Sequence, residues 1–125
     1  MAQARILVID DDRVILEMLN VALGKADFEV VAAADGEEGL RLFREQKPDL
    51  VIADIAMPGI DGYQVVSQIR ESEHTEKKTP VIILTAHEQS VMREYAKELG
   101  ADLYLTKPVT PRQLVEHIKE LIGKP

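Results

Sequence analysis

An α/β protein, with a doubly wound parallel sheet covered by helices on both faces, is the fold class that the sequence predicts. Five short apolar runs alternate strictly with five segments of helical period, the pattern of repeated strand–helix units. The runs are apolar on consecutive residues, as strands buried on both sides require. Four of the five end in residues that can do chemistry.

The first run is Ile6 to Ile9, ended by Asp10-Asp11-Asp12. Ile15, Met18, Leu19, Ala22 and Leu23 then recur at helical spacing, with Gly24 near that helix's end. Val30 to Ala34 reads as the second strand. Asp35 is placed to cap the next helix, with Glu38 as a capping-box partner and Leu40 and Phe43 on its apolar face. Leu50 to Ala53 is the third strand, ended by Asp54; beyond Gly62, Val65, Val66 and Ile69 mark a third helix. Glu71 to Thr79 reads as an exposed loop. Val81 to Leu84 is the fourth strand, ended by Thr85; Val91, Tyr95 and Leu99 mark a helix, which Gly100 ends. Leu103 to Leu105 is a short fifth strand, ended by Thr106-Lys107-Pro108. The last helix takes Thr110 as N-cap and Pro111 as its first residue, then runs through Leu114, Ile118 and Leu121 to Gly123.

Length and composition narrow the class further. A chain of 125 residues is expected to be one domain, here 1–125. Only 4% of it is aromatic, so Val, Ile, Leu and Ala must build the core. Acidic residues outnumber basic ones by 22 to 15, giving a net charge of -7, which disfavours direct nucleic-acid binding. There is no Cys, hence no disulfide or thiolate chemistry. The opening Met1-Ala2-Gln3-Ala4-Arg5 has no signal-peptide pattern, and no apolar stretch approaches membrane-spanning length. A cytoplasmic protein without membrane contact is expected.

Asp10, Asp11, Asp54, Thr85 and Lys107 all follow strands. Ligands of open α/β sheets bind outside the carboxyl ends of the strands, at a topological switch point. One Asp after a strand is ordinarily a turn former or cap; a coherent set on four strands is not. Three carboxylates against one ammonium leave an excess of two negative charges, which suits a hard divalent cation with oxygen ligands, Mg²⁺ in particular. Such a cation can hold a phosphoryl oxygen while a carboxylate attacks phosphorus, with Lys107 and Thr85 contacting other phosphoryl oxygens. Asp12 is the third of three consecutive acids whose register the residues alone leave open, Asp61 reads as a turn or cap residue before Gly62, and His74 and His117 read as surface residues.

Val8-Ile9-Asp10-Asp11-Asp12, Asp54 through Gly62, Thr85-Ala86 and Tyr104-Leu105-Thr106-Lys107-Pro108 together resemble the receiver family of bacterial two-component response regulators. The resemblance covers essentially the whole chain. It implies a CheY-like, flavodoxin-like sheet in the order 2-1-3-4-5, and Asp54 as acceptor of phosphate from a sensor histidine kinase or a histidine phosphotransfer protein. It implies that Asp10, Asp11, Asp54 and the backbone carbonyl of Ala56 bind Mg²⁺, with Mn²⁺ as a substitute. Thr85 and Lys107 then respond to the phosphoryl group, Tyr104 is the aromatic switch, and Ala56 and His87 flank the path of an attacking water and tune the lifetime. A cis peptide between Lys107 and Pro108 is implied too. The domain catalyses only its own phosphorylation and dephosphorylation, and signals to a downstream protein or a fused output domain.

Other readings compete. A phosphorelay intermediate or a receiver fragment of a larger hybrid kinase or regulator would carry the same residues. An aspartate-nucleophile phosphatase commonly has an acid two residues after the nucleophile, where this chain has Ala56. A flavin carrier would present a loop rich in Ser, Thr and Gly after the first strand, where this chain has three acids. The charged residues that pair receivers of the winged-helix subfamily are replaced by Leu103, Gln113 and His117, and Val109 stands where Phe is common. A monomer or a weak, phosphorylation-dependent dimer is therefore expected.

Overall fold

The structure is a computed structural model that describes residues 3–73, 78–87 and 90–122. Its elements run β1 (Arg5–Ile9), α1 (Arg13–Lys25), β2 (Glu29–Ala33), α2 (Gly36–Gln46), β3 (Leu50–Ala53), α3 (Gly62–Ser72), β4 (Val81–Thr85), α4 (Ser90–Leu99), β5 (Leu103–Thr106) and α5 (Pro111–Leu121). All strands pair in parallel, in the order β2-β1-β3-β4-β5. This is the flavodoxin-like arrangement.

Side chains alternate across each strand, so a run apolar throughout feeds two cores. Leu7, Ile9, Val51, Ala53, Val81 and Ile83 pack on one face with Leu40 of α2, Val65, Val66 and Ile69 of α3, and Ala96 of α4. Ile6, Val8, Leu50, Ile52, Ile82 and Leu84 pack on the other with Leu19 and Leu23 of α1 and Leu114 and Ile118 of α5. Three helices thus cover one face and two the other. The expectation of burial on both sides holds in full for β3 and β4, whereas β2 is largely half-exposed, with Glu29 and Ala32 open to solvent. As an edge strand it pairs only with β1, and less of the molecule covers it.

The helix caps follow the sequence closely. Asp12, Asp61 and Thr110 cap α1, α3 and α5, accepting from the N–H groups of Val14, Gln64 and Gln113. Gln64 and Gln113 close full capping boxes, which the sequence reading did not assign. Asp35 accepts from Glu38 N–H as expected, but Glu38 Oε1 takes the N–H of Ala34 (2.9 Å), one residue before the cap. The last two residues of α3 occupy part of the expected loop, because Glu71 and Ser72 continue the helix. His74 and Gly123, named above as a surface residue and a helix end, lie outside the described residues.

Gly100 ends α4 at φ +113°, a conformation that side chains rarely adopt. Its carbonyl accepts from Arg70 Nε (3.1 Å) and Nη2 (2.8 Å), and Arg70 also reaches Thr79 O, Glu73 and Asp102. Asp102 accepts the N–H of Val81 (2.8 Å) as well. These bonds fasten α3, β4 and the α4–β5 turn at the end of the sheet away from the strand carboxyl termini.

Candidate phosphoryl and metal site

The chain leaves β1 toward β2 on one side and returns to place β3 on the other, so the strand order reverses between β1 and β3. Ile9 pairs with Ala53 across that boundary. Asp10 and Asp54 therefore emerge level with each other, with Asp54 N–H bonded to Ile9 O (3.0 Å) and Asp10 N–H to Ala33 O (3.1 Å). Backbone register, rather than any flexible loop, brings the two carboxylates together.

Asp10, Asp11 and Asp54 each offer an oxygen within 4.8 Å of the others. Asp10 and Asp54 are buried and Asp11 is exposed. Lys107 arrives from the end of β5 and places Nζ 2.8 Å from Asp10 Oδ2 and 3.2 Å from Asp54 Oδ2. Asp10 Oδ1 accepts from Asp12 N–H (2.9 Å), and Asp54 Oδ1 accepts from Ile55 N–H (2.6 Å) and Ala56 N–H (3.4 Å). Lys107 N–H in turn bonds Thr85 O (2.7 Å), and the Lys107–Pro108 peptide is cis.

Burial pushes the Asp10 carboxyl above its ordinary range, against the bonds from Lys107 and Asp12, and the nearby Asp54 charge adds to the rise. At Lys107 burial acts the other way, but the contacts with Asp10 and Asp54 outweigh it and hold the ammonium above its usual pKa. Burial thus sets the direction at Asp10, and the two neighbouring carboxylates set it at Lys107. The donor set is entirely hard oxygen, with one carboxylate open to water, and it fits a cation such as Mg²⁺ that keeps several of its waters.

Thr85 ends β4 fully buried, and its Oγ1 accepts from His87 N–H (3.4 Å). Tyr104 lies inward, and its hydroxyl donates to His87 O (2.6 Å). Burial raises the Tyr104 hydroxyl pKa, with the charge of Arg93 opposing. The side chain of His87, named above for tuning, is exposed, and its backbone forms the link between Thr85 and Tyr104. Ala56 is exposed beside Asp54.

Three residues of the expected output face lie elsewhere in the energetics. Leu103 is half-buried against the α1–α5 core, Gln113 closes the α5 capping box, and His117 Nδ1 lies 3.8 Å from Glu120. Two site neighbours escaped the sequence reading. A Cβ on Gly62 would stand 2.3 Å from Asp54 O, so only glycine lets α3 start this close to the Asp54 backbone. Arg93 covers Tyr104 from α4. Gly62 closes one of the motifs that carry the resemblance, but nothing local shows its approach to Asp54 O, and Arg93 reads as one charge on a charged helix.

The chain belongs to the response regulator receiver domain family, whose model matches residues 6–119. It is 36% identical over 120 residues to the alkaline phosphatase synthesis transcriptional regulatory protein PhoP of Bacillus subtilis, covering 96% of this chain and 49% of that protein. It spans about half the length of the curated relatives it matches. A putative response regulator from Chloroflexus aurantiacus superposes with a TM-score of 0.90 at 36% identity, covering 98% of this chain and 100% of that one. Chemotaxis protein CheY4 of Vibrio cholerae superposes with a TM-score of 0.88 at 31% identity, over 95% and 98% of the two chains.

Proposed function

We propose that the chain is the phosphorylation-dependent switch of a two-component system, taking a phosphoryl group from a phosphohistidine onto Asp54. The observation that carries this is the placement of the Asp54 carboxylate among Asp10, Asp11 and the Lys107 ammonium at the strand-order reversal. Asp10, Asp11 and Asp54, with the carbonyl of Ala56, would hold Mg²⁺ or Mn²⁺. When bound, the cation supplies Lewis-acid neutralisation of the phosphoryl oxygens.

An Asp54 oxygen forms the new bond to phosphorus as the bond to the donor nitrogen breaks, and the proton balance falls on the donor imidazole. Lys107 transfers one of its contacts from Asp54 to a phosphoryl oxygen. The Thr85 hydroxyl, free to exchange its weak contact with His87 N–H, turns toward another. Because Tyr104 holds His87 O, a shift at Thr85 is felt at Tyr104 and along α4. The donor partner is a sensor histidine kinase or histidine phosphotransfer protein in the cytoplasm. The output is a downstream protein or a fused domain, the second route favoured by relatives about twice as long that are transcriptional regulators. The switch acts as a monomer or a weak dimer.

Intact-mass measurement after incubation with acetyl phosphate tests this reading. One phosphoryl adduct should form with Mg²⁺ or Mn²⁺ and none in EDTA. Labelling in EDTA would refute the metal requirement, and no labelling with either metal would refute the switch.

A further inference from the structure

Tyr104 is gripped from outside as well as from within. Its hydroxyl binds His87 O on the crevice side, while the Arg93 guanidinium carbon stands 4.9 Å from its ring centroid on the α4 side. The same guanidinium donates from Nη1 to the Tyr104 carbonyl oxygen at 2.9 Å. A planar fork can stack on a ring while bonding in its plane, a fit that a compact ammonium does not match. The two contacts differ in what they sense. The carbonyl bond anchors Arg93 to the β5 backbone, which a change of Tyr104 χ1 does not move, whereas the ring contact is made here with the ring inward and depends on χ1.

We infer that Arg93 is a positioning residue that holds the Tyr104 ring inward and so couples α4 to the Thr85 end of the crevice. Removing an interaction made in one rotamer alone shifts the equilibrium by its differential worth. For a cation over an aromatic face at an exposed site this is about two- to five-fold in the inward-to-outward ratio. Linkage is reciprocal, so whatever favours inward Tyr104 through Thr85 is favoured equally by Arg93. That second half rests on the proposed function; the first does not.

Three-bond couplings in protein with labelled tyrosines give the Tyr104 χ1 populations directly, for wild type, Arg93→Met and Arg93→Lys without metal. Arg93→Met, which keeps the apolar stem, should lower the inward-to-outward ratio about two- to five-fold, with Arg93→Lys between it and wild type. Its thermal midpoint should fall by a few degrees at most, because the lost ring contact and carbonyl bond belong to an exposed side chain. Identical Tyr104 populations in all three proteins would overturn the inference. The beryllofluoride midpoint with Mg²⁺ should rise in Arg93→Met in proportion to the fall in the inward fraction that the couplings report. A measurable fall in the inward fraction with an unchanged midpoint would leave Arg93 holding the ring and overturn its coupling to the crevice. Failure of beryllofluoride to bind wild type would count against the proposed function, and the rotamer arm would still decide the role of Arg93.

Discussion

Gly62→Ala should unfold at a clearly lower denaturant concentration than wild type, with a loss of about 3 kcal/mol, and should take up phosphate about a hundred-fold more slowly. The new methyl would lie 2.3 Å from Asp54 O and 2.8 Å from Ile55 Cα, both backbone atoms that cannot turn aside. Relief requires moving the start of α3 or the segment that carries Asp54, and either breaks the bond from Gly62 N–H to Ile55 O. Gly24→Ala is the control. Its Cβ would meet nothing within 4 Å, and on α1 it should stabilise by about 1 kcal/mol through helix propensity alone. Wild-type stability and labelling in Gly62→Ala would show that the close approach has no bearing on the site.

Lys107→Ala should be the second large effect, and its size should depend on metal. Without metal it leaves two buried carboxylates facing each other without their shared cation, at about 3 kcal/mol, the lower end of the range for a broken buried pair because the crevice opens to water. The raised Lys107 pKa means this contribution is fully present below the unfolded lysine value of about 10.4 and is lost only as pH rises through the higher folded value. Urea titrations at neutral pH should therefore show the whole loss. Millimolar Mg²⁺ should recover part of it, because the cation neutralises the same carboxylates. Phosphate uptake with Mg²⁺ should still fall about a hundred-fold, since no ammonium remains to meet the transferring group. A loss of stability that Mg²⁺ leaves unchanged would contradict a shared carboxylate cluster.

Much of this architecture was legible because the signals are local. A four-residue run such as Leu50 to Ala53 needs apolar residues on both faces only if helices lie on both sides, and the two cores divide it in that way. Asp35 and Thr110 cap helices through bonds to residues three positions on, which spacing alone reveals. The convergence of Asp10, Asp54 and Lys107 was legible as a set of strand ends, and the sheet order supplied its geometry. What stayed hidden depends on atoms far apart in sequence. Gly62 matters through the backbone of Asp54, Arg93 through the ring of Tyr104, and Arg70 through carbonyls of Thr79 and Gly100. The exposed edge of β2 has the same cause, because Val30 and Val31 do not reveal how much of the molecule covers them. Glu38 bonded one residue beyond its expected partner, a difference too small for spacing to resolve.

The central claim is that Asp54 is the atom-level acceptor. Reduction of the acyl phosphate with borohydride, followed by fragmentation mass spectrometry, converts the transient adduct into a stable, locatable alcohol. The protein treated with acetyl phosphate and Mg²⁺ should carry that reduction product at Asp54, and Asp54→Asn should carry none. A product at Asp10, Asp11 or elsewhere, or undiminished labelling in Asp54→Asn, would contradict the account.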